Sequence, residues 1–176
     1  RTFQNIRLFS NLSVLDNVRI AYHTHVKYGL ASAVMRLGNY FREEEEMTRK
    51  AIEFLRIFNL DRKKDEIAKN LPYGEQRRLE IARALAAKPQ LLLLDEPAAG
   101  MNPQETHELM NMIKWIRDEF NLTILLIEHD MSLVMGACER IYVLEYGMII
   151  AHGTPDEIKS NPRVIEAYLG EEVAHA

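Results

Sequence analysis

Leu91-Leu92-Leu93-Leu94-Asp95-Glu96-Pro97 is an apolar run that ends abruptly in two carboxylates. The run is too short to cross a membrane and too apolar for a strand with one wet face, so it predicts a central strand of a parallel sheet. A second apolar run, Thr123 to Ile127, lies one helix further on. The helix between them has its start written in sequence: Asn102 as N-cap, Pro103 at the first helical position and Glu105 at the third. Its inward face is expected to carry Leu109, Ile113, Ile116 and Phe120. Strand, helix and strand make a βαβ unit, whose right-handed crossover delivers both strand ends to the same side of the sheet. Asp95 and Glu96 are therefore placed where open α/β sheets bind ligands, in the pairing that nucleotide hydrolases use to hold Mg²⁺ and orient water.

The rest of the chain is compatible with that core. Before Ala87 the apolar residues recur at helical spacing, as in Ala51, Ile52, Leu55 and Phe58, which predicts a mainly helical region. The acidic run Glu43 to Glu46 reads as a solvated helix face. After the second strand, Ile141 to Leu144 and Met148 to Ala151 flank Glu145-Tyr146-Gly147 and read as a hairpin. Thr154-Pro155-Asp156-Glu157 caps the next helix, and Asn161-Pro162 starts the last.

Size and charge narrow the function classes. The 176 residues can bury one good core, and no apolar stretch is long enough for a membrane helix. A net charge of -4 gives no general attraction to nucleic acid, and none is expected as a partner. The one cysteine, Cys138, cannot form an internal disulfide and sits in what reads as a packed helix.

Three further pieces point at Asp95 and Glu96. Glu128-His129-Asp130 follows the second strand, so His129 leaves the sheet beside the carboxylates, where an imidazole can meet a terminal phosphate. Leu71-Pro72-Tyr73-Gly74-Glu75-Gln76-Arg77-Arg78 opens a helix through Leu79, Ile81, Ala82 and Leu85, and a glycine turn at a helix N-terminus offers N–H groups to an anion. Phe3-Gln4 lies at the start of the chain.

In this order, Gln4, Leu71 to Arg78, Leu91 to Glu96, Gly100-Met101-Asn102 and His129 resemble the glutamine loop, signature motif, Walker B strand, D-loop and histidine loop of ABC transporter ATP-binding subunits. The signature wording, Asp95 to Pro103, Ile127 to Met131 and the ending Ala167-Tyr168-Leu169-Gly170-Glu171 are similar to the branched-chain amino acid import group. The stretch between Asn17 and Glu46 is similar to that group's helical insertion. The resemblance implies a P-loop NTPase-like (RecA-like) ABC ATPase core, with a parallel sheet and a helical subdomain. It divides the chain into a glutamine-loop segment (1–9), a helical subdomain with the signature (10–88) and the C-terminal half of the ATPase core (89–176).

The resemblance also implies roles. Asp95 and Gln4 would hold Mg²⁺, Glu96 would polarise the attacking water, and His129 would contact the γ-phosphate of ATP. Tyr73, Gly74 and Glu75 would face ATP held by a second ATPase subunit, identical or different. Transmembrane permeases would tether the protein to the cytoplasmic face of the plasma membrane, with an extracytoplasmic binding protein engaged indirectly. Two departures stand out. Pro72 replaces the signature serine, removing a hydroxyl and an N–H. No G-x-x-x-x-G-K-[ST] phosphate loop occurs in the sequence, so the expectation is an N-terminally truncated subunit that binds MgATP poorly by itself. The other readings are lipopolysaccharide export, urea or amide import, a soluble non-transport ABC ATPase, or a non-catalytic interaction module.

Overall fold

The computed structural model describes residues 7–25 and 40–169. The first half is helical. Helix α1 (Val14–Tyr22) starts at Ser13, whose hydroxyl accepts the Asp16 N–H, and buries Val14, Asn17, Val18 and Tyr22 along one stripe. Helix α2 (Tyr40–Ile57) buries Met47, Ala51 and Leu55 at four-residue spacing. Its acidic run lies at the helix surface, where Glu44 pairs with Arg19 and Glu46 with Lys50, each at 2.7 Å. Helix α3 (Tyr73–Ala86) buries Leu79, Ile81, Ala82, Leu85 and Ala86, and also Arg77 and Glu80.

Strands β1 (Leu91–Asp95) and β2 (Thr123–Ile127) pair in parallel, with Leu91 opposite Thr123 and Asp95 opposite Ile127. The crossover is α4 (Pro103–Glu119), which carries the expected capping box: Asn102 Oδ1 accepts the Glu105 N–H, and Glu105 Oε2 accepts the Asn102 N–H. Leu109, Ile113 and Ile116 are buried as expected. Phe120 terminates the helix and is only half-buried, with its ring stacked on Phe54 at 6.0 Å. Helix α5 (Met131–Ala137) leads to the antiparallel hairpin β3 (Ile141–Glu145) and β4 (Met148–Gly153). The capped helix α6 (Pro155–Lys159) follows. Helix α7 (Pro162–Val164) continues as a π turn, Ile165–Leu169.

One buried cluster joins α1, α2 and α3 to β1, α4 and α5, from Val14 through Leu92 and Leu94 to Leu133. A smaller one, Ile141, Val143, Ala151, Ile158 and Val164, lies under the hairpin. Full burial of a leucine such as Leu92 or Leu94 contributes about 1.5–3 kcal/mol, so β1 is anchored along its inner face. The sheet departs from the fully covered pair that its apolar runs predict. Leu125 and Ile127 are 55% exposed and Leu91 is 49% exposed. Alternate positions of a strand face opposite sides, and among the described residues only one side is packed.

Candidate functional site

The site grows from the C-terminal ends of β1 and β2. The ladder continues one residue past the strands, with Glu96 N–H donating to Ile127 C=O at 2.8 Å. Glu96 itself has φ 43°. That is the left-handed region, which costs a residue with a Cβ roughly 1–2 kcal/mol and persists where the surroundings fix it. The turn after it is closed by Ala99 N–H to Glu96 C=O at 3.2 Å and Met101 N–H to Ala98 C=O at 3.0 Å, with Gly100 at φ 75°. Asn102 then begins α4, so the capping box fixes where the turn ends.

On the neighbouring strand, His129 Nδ1 lies 3.9 Å from Glu96 Oε1 and 3.8 Å from Glu128 Oε2. Both distances exceed a hydrogen bond, and the imidazole is 73% exposed. Glu128, by contrast, is buried: its side chain is 1% exposed. Its Oε1 accepts the Ala98 N–H at 2.8 Å and its Oε2 accepts the His129 N–H at 3.1 Å. One carboxylate thus ties the turn after Glu96 to the backbone of His129. Asp130 caps α5, accepting from Ser132 N–H at 2.9 Å, Leu133 N–H at 3.1 Å and the Ser132 hydroxyl at 2.7 Å. The Ser132 hydroxyl foremost, aided by the two N–H groups, holds the Asp130 carboxyl below its ordinary range against the opposing effect of burial. Burial pushes the Cys138 thiol up, which favours the unreactive protonated form.

The structure therefore brings Asp95, Glu96 and His129 together at adjoining strand ends. Tyr73, Gly74 and Glu75 form the first turn of α3, where Pro72 is the N-cap and no side chain caps the helix. The Glu75 N–H donates to Pro72 C=O at 3.0 Å, whereas the first amides of a helix have no partner within it. The Tyr73 ring borders the turn after Glu96, since a Cβ added to Gly100 would stand 3.7 Å from Tyr73 Cε1. The Glu75 carboxylate is engaged by Lys63 Nζ, at 2.9 and 2.7 Å. Gln4 lies outside the described residues.

Among the described residues no group of three or more His, Cys, Asp or Glu could cage a metal. Mg²⁺ in phosphoryl-transfer sites keeps several waters and takes one or two carboxylates plus substrate phosphate oxygens. A single aspartate at a strand end fits that use. Sequence reasoning missed Glu128, although its signal was present as an acidic residue directly between an apolar strand and His129.

The family model described as ABC transporter matches residues 1–99. The chain belongs to the ABC transporter family. A model described as branched-chain amino acid ATP-binding cassette transporter matches residues 148–174, across β4 and the last helices. The chain is 49% identical over 171 residues to the high-affinity branched-chain amino acid transport ATP-binding protein LivG of Salmonella typhimurium, covering 97% of this chain and 67% of that protein. It is 45% identical over 171 residues to the corresponding protein BraF of Pseudomonas aeruginosa, with 97% and 67% covered. A nucleotide-free ATP-binding cassette from an ABC transporter superposes with TM-score 0.75 at 32% identity, over 96% of this chain and 67% of that one. The chain thus spans about two thirds of the length of these relatives, and its fold is that of the ABC cassette core.

Proposed function

We propose that this ABC-family protein is the ATP-hydrolysing subunit of a system importing branched-chain amino acids. The observation that carries the reading is the convergence of Glu96 and His129, 3.9 Å apart, beside Asp95 at the ends of two parallel strands. Asp95 would hold Mg²⁺, with Gln4 completing that environment. Glu96 takes the position of the group that orients and polarises the attacking water, and His129 meets the γ-phosphate. The bound Mg²⁺ supplies neutralisation of phosphate charge. The first turn of α3 presents Tyr73 and Gly74 to ATP held by a second ATPase subunit, while Lys63 fixes Glu75 and with it the turn. Substrate class is supported by the likeness to LivG and BraF, whose names specify branched-chain amino acid transport.

The segment division at 9/10 and 88/89 belongs to the same proposal, as do permease partners and a peripheral position on the cytoplasmic face of the membrane. No helix among the described residues is long and apolar enough to cross a membrane. The test is Glu96→Gln in the protein assembled with its permeases. Phosphate release is expected to fall at least 100-fold while MgATP still binds, and leucine uptake into proteoliposomes is expected to stop. Turnover within twofold of the unsubstituted protein overturns the assignment.

A further inference from the structure

Helix α3 carries a buried charged pair that the proposed chemistry does not use. Arg77 and Glu80 are 0% and 1% exposed, and Arg77 Nη1 donates to Glu80 Oε2 at 2.8 Å. Withdrawing two charges from water costs more than their attraction returns unless further hydrogen bonds form, and an apolar pair of similar volume is often as stable or more so. Stability alone therefore gives little reason for this pair.

Two further bonds lead out of the pair in opposite directions. Arg77 Nη2 donates to the Tyr73 hydroxyl at 3.2 Å, one turn back, and the guanidinium carbon stands 5.9 Å from that ring's centroid. The Tyr73 ring also borders Gly100, in the turn that follows Glu96, with Cε1 at 3.7 Å from where a Cβ on that glycine would stand. At the opposite end, Glu80 Oε1 accepts the Arg7 N–H at 3.3 Å. Arg7 follows Gln4 by three residues in the chain. The same short segment is held again at Phe9: Asn17 accepts its N–H at 2.9 Å and donates to its C=O at 3.1 Å, and the Arg83 guanidinium lies 5.4 Å from its ring centroid. Tyr73, Arg77 and Glu80 fall at i, i+4 and i+7, which puts them on one face of α3.

We propose that Arg77 and Glu80 are positioning residues that link, through Tyr73, the turn after Glu96 to the segment after Gln4, so that the two sides of the hydrolytic site are set in register by the signature helix. The catalytic consequence rests on the function proposed above, whereas the mechanical link does not, and the two are measured separately.

The test is the double variant Arg77→Met/Glu80→Leu, which keeps volume and removes both charges together with the bonds to Tyr73 and Arg7. It is made in the full protein assembled with its partners. Amide hydrogen exchange is expected to quicken at least tenfold at Arg7 and also at Met101, while Leu94 in β1 stays protected. Turnover is expected to fall about tenfold with the KM for MgATP within twofold. Unchanged exchange at Met101 overturns the link, and unchanged kcat in a variant whose exchange has changed overturns its role in hydrolysis. If the unsubstituted protein shows no MgATP turnover, the proposed function falls and the exchange result alone decides the link. Should the double variant fail to fold, Glu80→Gln, which retains an acceptor for Arg7 but weakens the bond to Arg77, is expected to give the same pattern at smaller size. Protection at Met101 equal to the unsubstituted protein in that variant also overturns the link.

Discussion

Glu128→Gln isolates the buried carboxylate that joins the two strand-end turns. The Glu128 side chain accepts one N–H on each oxygen, from Ala98 at 2.8 Å and from His129 at 3.1 Å. Glutamine keeps one acceptor and turns the other position into a donor, so one N–H faces an N–H. A hydrogen bond to a charged group contributes about 1.5–3 kcal/mol, and stranding a buried donor costs about 1–3 kcal/mol. Removing a buried charge works in the other direction, but here the charge is already compensated by the two amides that it accepts. The lost bond therefore wins, and the net destabilisation is expected at about 1–2 kcal/mol. With a urea m-value of roughly 1–3 kcal/mol/M, the midpoint drops by about 0.3–2 M without a change in m. Hydrogen exchange at Ala98 quickens in parallel, and turnover falls because the Glu96 turn is no longer held against His129. A midpoint unchanged within ~0.2 M, with Ala98 as protected as before, would refute the claim that this carboxylate fastens the turn.

Gly100→Ala is expected to cost roughly 1–2 kcal/mol in thermal unfolding. Alanine at φ 75° is strained, whereas its Cβ would meet Tyr73 only at an ordinary 3.7 Å; a loss below ~0.3 kcal/mol would mean the turn relaxes freely. For Asp130 the folded-state carboxyl is held below its ordinary range, so its stabilising contribution is fully present above the unfolded value of about 3.9 and disappears as pH falls through the folded value. Asp130→Asn, which can still cap α5, should flatten the acid limb of a stability profile measured from about pH 2 to pH 7. An acid limb with the same slope in both proteins would remove Asp130 from that account.

Local signals carried much of the fold into view from sequence. Asn102, Thr154 and Asn161 each accept an N–H at a helix start, because capping is decided by three or four adjacent residues. The βαβ unit and the hairpin were equally legible, since apolar runs of strand length between helix and turn signals admit few arrangements. Asp95, Glu96 and His129 could be placed together because parallel strands deliver their ends to one side. What escaped was long-range in origin. Nothing in the sequence marks Glu128, Arg77 and Glu80 as buried, since burial of a charged side chain depends on partners such as Ala98, Tyr73 and Arg7 that sequence does not juxtapose. Nothing in the neighbourhood of Glu75 announces that Lys63, twelve residues away, holds its carboxylate. The apolar run at β2 suggested two covered faces, yet Leu125 and Ile127 are more than half exposed among the described residues.

The left-handed backbone at Glu96 sets a conflict between durability and chemistry. Glycine has no steric penalty at φ 43° and asparagine a reduced one, so either replacement would relax the chain at the position proposed to polarise water. A laboratory selection for heat resistance alone would reward such replacements and disarm the protein in the same step. Any library meant to harden this cassette should therefore hold codon 96 fixed and draw its gains from elsewhere.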